Sequence, residues 1–352
     1  MPCGVGDYTH RLAGALAEVG AAVTVVTSAD PRVRAAESYS SVGIPGGWSA
    51  CRSAFVLRTV LRTGPQVVHV QYPTVGYMGG TAPLLLLPLV RVLAPRVRVV
   101  LTLHEFNRFL ARRRLLVRVA AIAAHLVVTP DRLQVDALGS PMDWRRPRIV
   151  EIPMAANIGP IMSSSPMDIG PGVDSGAGLV VGTWGFLRAD KGTDTLLDAF
   201  DIVAAARSAR LVFAGDSGPD AGFIAHVRKH VRESPHASSV MFTGWQTEEK
   251  LSATLMSLDV CVLPFVDGLA ANRTTYLGAV AHGLYVVTTS EDRVGFDADS
   301  NTTFVPPGDP AGLAHAILEA RSHPRMAPHD VADSWRDVAR AHVGAYGMSR
   351  SS

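Results

Sequence analysis

Lys191 is one of three lysines among 352 residues, in a chain that otherwise takes its positive charge from arginine. It stands in RADKGTDTLLDAF, where a glycine separates it from residues at helical spacing. A lysine there can reach a diphosphate, and the free N–H groups of a helix N-terminus add to the same field. Thr193 or Asp194 reads as the N-cap of that helix. Arg273 opens the next-but-two helical segment, in NRTTYLGAVAHG, and its planar fork can take two phosphate oxygens. The plain alternative is an arginine on a helix surface. Gly4, Val5 and Gly6 precede helical spacing over residues 7–19, which offers a second amide cradle or merely a tight turn. His104 and Glu105 end the apolar run VVLTLHEF, as a polar group in a cleft or a satisfied core histidine. Cys3, Cys51 and Cys261 lie far apart and show no metal-ligand spacing. Glycines and cations without an evident nucleophile point to a nucleotide-containing ligand.

The elements that must position these groups alternate. Residues 179–289 read as apolar runs ending in glycine and polar residues, LVVGTW, RLVFAGD, VMFTGW and DVCVLPF, with helical segments between. That alternation predicts a parallel sheet with its ligand crevice at the strand C-termini. In the first half, AAVTVVTS, QVVHVQYP (66–73), VRVVLTLHEF (97–106), HLVVTP (125–130) and RIVEIPM (148–154) read as strands. A glycine loop that opens a helix should follow a strand, so a first strand is apparently missing before Gly4. Residues 158–178 are rich in Gly, Pro and Ser and read as a linker. The expected organisation is a domain over 1–157, the linker, a domain over 179–328, and a closing helix and tail over 329–352.

Net charge is +2 and conceals an asymmetry. Residues 1–150 hold 18 arginines, no lysine and eight acids, a net of +10, and the remainder carries −8. Opposed halves suggest different partners or mutual attraction. The longest apolar run, APLLLLPLV, is too short and too Pro-interrupted to span a bilayer. With few cysteines, the expected setting is cytoplasmic and reducing. No helix-turn-helix, zinc or aromatic-stacking pattern favours nucleic acid.

In their order, GVGDYTHRLAGALAEVGAAVTVVT, VVHVQY, VVLTLHEF, VVTP, IVEIPM, GFLRADKGTDTLLDAF, LVFAGD, FTGW, DVCVLPF and AHGLYVVTT resemble the retaining glycosyltransferases of family four. The resemblance covers roughly residues 3–320. It implies the α/β GT-B fold: two Rossmann-like domains facing across a cleft, with a C-terminal helix returning to the first. It also implies a nucleotide-sugar donor bound mainly by the second domain, an acceptor mainly by the first, retention of configuration, and no required metal or cofactor.

Residue by residue, the resemblance carries the phosphate-side role to Gly4, Val5, Gly6 and Lys191. The family often has an arginine after the loop glycine, where this chain has Phe186, so Arg188 is expected to supply that charge. Two glutamates common in the family fall at Ala270 and Gly278. A variant pattern matches better through Pro264, Phe265, Asp267, Gly268, Arg273, Thr275, Leu277, Ala279, His282 and Gly283. It places Asp267, Gly268, Arg273, Thr274 and Thr275 on the donor side, with Asp267 orienting sugar hydroxyls or capping the next helix. Gly244 and Trp245 are expected near the base, or Trp245 beneath the domain. His104 is expected near the sugar, making His104, Lys191 and Arg273 the catalytic set, with Gln71, Tyr72 and Glu105 on the acceptor side. His282 reads as structural.

The basic run 107–126, with Arg108, Arg112, Arg113, Arg114 and Arg118, reads as a solvated surface helix or as a peripheral membrane contact suited to a lipid-linked acceptor. The missing glutamates leave a second functional reading, a degenerate relative that assists a partner transferase. A dinucleotide oxidoreductase is disfavoured, because no G-x-G-x-x-G follows a strand.

Overall fold

The computed structural model describes residues 4–29, 37–73, 75–104, 111–131, 147–161, 178–216, 218 and 220–347. They form two compact units, Met1–Ala155 with Ala332–Ser352, and Ala156–Val331.

In the first unit, α1 (Gly4–Glu18) buries Tyr8, Leu12, Ala13, Ala15 and Leu16 along one stripe. Two parallel sheets follow. One pairs β1 (Thr24–Ser28) with β2 (Ser40–Ile44). The other runs β3 (Val67–Tyr72), β4 (Arg98–Leu103), β5 (Leu126–Thr129) and β6 (Arg148–Glu151) in that order. Among the described residues β1 and β3 share no ladder. Ser28, at the end of β1, instead donates through Oγ to the carbonyl of Gly76 in the turn after β3 at 2.8 Å and accepts from Trp48 Nε1 at 2.8 Å. The unbroken apolar reading of β4 and β5 matches burial on both faces, with Val99, Val100, Leu101 and Val127 fully enclosed. Helices α2 (Ser53–Arg62), α3 (Ala82–Leu93) and α4 (Ala111–Ala123) supply the apolar cover.

The second unit holds one seven-stranded sheet. Its strands are β7 (Leu179–Trp184), β8 (Ala209–Ala214), β9 (Val240–Phe242), β10 (Val260–Leu263), β11 (Tyr285–Thr289), β12 (Gly295–Asp297) and β13 (Thr302–Val305). Their spatial order is β12-β13-β11-β10-β7-β8-β9, parallel except for β12. The helices are α5 (Thr193–Ala206), α6 (Ala221–Glu233), α7 (Glu248–Met256), α8 (Thr274–Ala281) and α9 (Pro310–Leu318). The chain leaves β7 to build outward through β8 and β9, then returns to β10 on the other side. This is a doubly wound sheet whose direction reverses between β7 and β10, the position where such sheets bind ligands. Cys261, central in β10, is wholly buried, and burial pushes its thiol up to about 12.

The last helix, α10 (Val331–Tyr346), packs on the first unit from Ala332 onward. Trp335 meets Tyr8 edge-on at 5.2 Å, and the Arg98 guanidinium donates to the Tyr346 carbonyl. The sequence-derived linker begins at 158, yet Ile158 is buried in the second unit's core against Trp184 and Gly278. The residues 162–177 lie outside the described set.

Candidate functional site

Three cations meet where the second sheet reverses. After β7 the chain turns at Gly185 (φ 93°), makes a short 3-10 turn over Ala189–Lys191, and enters α5 through Gly192 at φ 62°. Only glycine suits Gly192: its φ is left-handed, and a Cβ would lie 1.9 Å from the Pro264 carbonyl oxygen. That approach locks the loop after β7 to the loop after β10, as does the bond from Val266 N–H to the Asp190 carbonyl at 3.1 Å. Gly192 itself is therefore the N-cap, with no side-chain cap bond, and neither Thr193 nor Asp194 plays that part. No side-chain cap therefore occupies the first-turn N–H groups of α5.

Lys191 turns back under β7, and its Nζ donates to the Trp184 carbonyl at 3.2 Å. A Cβ on Gly185 would come within 2.7 Å of that nitrogen, so the glycine makes room for the ammonium. Burial lowers the Lys191 pKa to about 8; the nearby Arg273 charge acts in the same direction and Asp190 opposes both. Asp190 organises the group. Its carboxylate accepts from Arg188 Nε at 3.0 Å and from Arg273 Nη1 at 3.2 Å. Arg273, the N-cap residue of α8, lays its guanidinium 4.4 Å above the centroid of Phe265. Its Nε is buried without a hydrogen-bond partner. Three cations around one carboxylate leave a formal surplus of two positive charges. Beside them lies a narrow concavity of about 20 Å³ lined by Gly185, Phe186, Lys191, Phe213, Gly215 and Phe242.

The remaining donor-side expectations fall close by along the chain. Thr274 and Thr275 form the first turn of α8, and the Thr275 carbonyl accepts from Trp184 Nε1 at 2.9 Å. Asp267 is exposed and Gly268 turns at φ 74°. Because Arg273 is the N-cap of α8, Asp267 does not cap it. Gly244 follows β9 at φ 69° with open space around it, and Trp245 is 66% exposed rather than packed beneath the unit. Gly278 has no room for a larger side chain: a Cβ would stand 2.6 Å from the Trp184 ring and 3.0 Å from Ile158. A glutamate there would displace the indole. His282 is fully buried and both ring nitrogens have core partners, Gly278 O at 2.7 Å and Ser252 Oγ at 3.1 Å.

The first unit contributes a different kind of cluster. His104 is 3% exposed, its Nε2 donating to Gln71 Oε1 at 2.9 Å, its ring edge-on to Tyr8 at 4.9 Å. Gln71 Nε2 then reaches His69 Nε2 at 3.3 Å. The Thr102 hydroxyl donates to that same nitrogen at 2.6 Å, so Nδ1–H of His69 donates to the Tyr346 hydroxyl at 2.8 Å. His342, also buried, shares a 3.2 Å bond with the Tyr8 hydroxyl. Burial pushes His104 down to about 3 and His342 to about 4, with His342 adding to the shift at His104; His69 is held well below the usual histidine range by burial, then His342 and His104. These imidazoles are neutral at ordinary pH.

Several expectations change in this unit. Gly4, Val5 and Gly6 are the first turn of α1 rather than a loop ahead of it. Gln71 and Tyr72 are buried; Tyr72 is fully enclosed, its hydroxyl accepting from Arg113 Nε at 2.5 Å, so neither offers an acceptor a free surface. Glu105 and Arg108 lie outside the described residues. Arg113 also donates to the Gly79 carbonyl at 2.8 Å, which makes it a structural arginine rather than a solvated one. The outer face of α4 carries Leu115, Val119 and Ile122, all exposed. No helix among the described residues is long and apolar enough to cross a membrane.

Two of the site's parts escaped the sequence reading. Asp190 stood in plain view inside RADK, beside Arg188, which it holds together with the distant Arg273. Trp184 gave no signal beyond ending a strand, since its packing on α8 is a long-range contact.

The glycosyltransferase family 4 profile matches residues 2–157, and that of the group 1 glycosyl transferases matches residues 178–323. The chain belongs to the family-four glycosyltransferases. Solved structures share the GT-B architecture at low identity. The glycosyltransferase from Rickettsia africae superposes with a TM-score of 0.70 at 14% identity, over 97% of this chain and 94% of its own. Anabaena HepE, solved with UDP and glucose, gives 0.70 at 14%, over 99% and 95%. Sucrose-phosphate synthase from Thermosynechococcus elongatus gives 0.66 at 17%, over 95% and 88%. No curated protein matches the chain. Family membership makes this protein a glycosyltransferase, and the fold it shares with these neighbours is that of two Rossmann-like units.

Proposed function

We propose that this glycosyltransferase moves a sugar from a nucleotide-sugar donor to a glycan, lipid-linked or natural-product acceptor, with retention of configuration and without a metal in the transfer step. The observation that carries the proposal is the gathering of Lys191 beside Arg188 and Arg273, both paired to Asp190, at the reversal of the second sheet. Their surplus of two positive charges suits a departing nucleoside diphosphate. As the bond from the sugar's anomeric carbon to the phosphate oxygen breaks, its electrons pass to that oxygen, and fixed cations and α5 amides stabilise the charge without reorganising. The unpartnered Arg273 Nε is a donor still to be used.

His104 and the first turn of α1 are assigned to the sugar and phosphate on the family resemblance. The exposed Leu115, Val119 and Ile122 on α4 favour a peripheral membrane contact for a lipid-linked acceptor. The filled space at Gly278 favours a second reading, a degenerate transferase that assists a partner. A thermal-shift series with UDP, GDP, ADP and TDP, followed by donor hydrolysis and transfer assays, separates the two. UDP goes first because HepE, a neighbour in fold, was solved with it. Stabilisation by one nucleotide and turnover of its sugar conjugate are expected. Nucleotide binding without turnover or hydrolysis would favour the degenerate reading.

A further inference from the structure

Asp194, released from any capping duty, faces a pair of histidines. Helix α5 presents Asp194 and Asp198, and α6 presents His226 and His230; each pair is spaced i, i+4 and so lies on one face of its helix. Asp194 Oδ1 is 2.8 Å from His226 Nε2 and 3.2 Å from His230 Nδ1. Behind His230, its other nitrogen Nε2 lies 3.2 Å from Asp198 Oδ1. Donor atoms of Asp194, His226 and His230 all fall within 4.8 Å of one another.

We propose that Asp194, His226 and His230 bind a zinc-class divalent transition metal, with Asp198 orienting His230 from behind. Metal–ligand bonds of about 2.0 Å place tetrahedral ligand atoms about 3.3 Å apart, which is close to the spacing around Asp194 Oδ1. Tautomer chemistry adds a second argument. If Nε2–H of His230 is given to Asp198, then Nδ1 is the lone-pair nitrogen, and it faces the lone pairs of Asp194 Oδ1. Two acceptors pointed at each other need either a proton or a metal ion between them. A carboxylate on the far nitrogen of a metal-binding histidine is the usual way proteins fix that tautomer and ring angle. Two imidazoles and a carboxylate suit Zn²⁺, Co²⁺ or Ni²⁺ and not the all-oxygen preference of Mg²⁺ or Ca²⁺. Half-exposed Asp194 and His226 leave the fourth position to water. The ion takes no part in sugar transfer. It ties the first turn of α5, three positions after Lys191, to α6.

The test titrates the full chain with Zn²⁺ against a chromophoric chelator and records visible spectra with Co²⁺. One ion per chain at micromolar affinity is expected, with tetrahedral Co²⁺ bands and no competition from Mg²⁺. His226→Ala and His230→Ala should each weaken binding at least about 30-fold. Asp198→Asn, which removes no ligand, should weaken it about 10-fold. His315→Ala, an exposed histidine on α9, serves as the control and should change nothing. Zinc binding that survives His226→Ala and His230→Ala unchanged, or no binding in the folded parent chain, overturns the proposal. Neither readout depends on glycosyl transfer, so the inference stands or falls apart from the proposed function. All four variants are at surface-accessible positions, and circular dichroism is to be recorded on each as the check of folding.

Discussion

The two units use titratable groups in opposite ways. The first encloses His69, His104 and His342 with two tyrosines and keeps every imidazole uncharged. The second gathers Lys191, Arg188 and Arg273 near a single carboxylate, where the winding of the sheet reverses between β7 and β10. One cluster is a neutral hydrogen-bond chain within a core. The other is a standing positive field. Burial lowers the pKa of a base in both places, taking His104 to about 3 but Lys191 only to about 8. The same physical cause therefore makes the first unit sensitive to acid and the second sensitive to alkali.

The largest expected effect is on the acid side. An unfolded histidine takes its proton near pH 6.5, whereas His104 in the fold does so near 3. Between those values the unfolded chain binds the extra proton, so the first unit's stability is complete above about 6.5 and falls as the pH drops toward 3. At about 1.4 kcal/mol per pH unit, His104 alone accounts for roughly 5 kcal/mol. Hydrogen exchange between pH 6.5 and 4 should show peptides of β3, β4 and α10 opening before those of β7 and β10. The reverse order would undo the comparison.

Next is Lys191→Ala, expected to lower transfer kcat/KM by about 10²–10³ with the fold intact. A loss under threefold would remove the ammonium from the mechanism. Gly192→Ala drives a Cβ toward the Pro264 carbonyl and should cost about 2 kcal/mol, read as a lower Tm. An unchanged Tm would mean the two loops are not locked as described. A smaller effect sharpens the alkaline side. Lys191 is charged below pH 8 and loses its proton above, so nucleoside diphosphate affinity should fall, by at most about tenfold per pH unit, as pH rises past 8. The slope should vanish in Lys191→Met. Last, Trp245→Ala should shift stability by no more than about 0.5 kcal/mol, because the indole is exposed. A large drop in Tm would show it to be packed after all.

The second unit was easier to read in the sequence than the first. Its strands are apolar runs closed by glycine, and Lys191 is conspicuous against arginine usage, so the order of elements and the cations could both be anticipated. What could not was set by contacts distant in sequence. Gly278 is a glycine because Trp184 and Ile158 occupy the adjacent space, and no local pattern reports that. Gly4 and Gly6 looked like a loop because glycine is a poor helix former, yet packing of Tyr8 and Leu12 draws the helix back through them. Gln71 and Tyr72 stood at a strand end, where a ligand is a fair guess. The side chain of Arg113 and the ring of His104 had already claimed them.

Cys261 gives the second unit an internal clock. Its sulfur lies at the centre of the seven-stranded sheet with its thiol held protonated, whereas Cys51 is open to solvent in the first unit. An alkylating reagent should therefore modify Cys51 at once and reach Cys261 only when β10 separates from its neighbours. Peptide-resolved labelling over time would turn that delay into a rate for breathing of the sheet, and nucleotide occupancy should lengthen it.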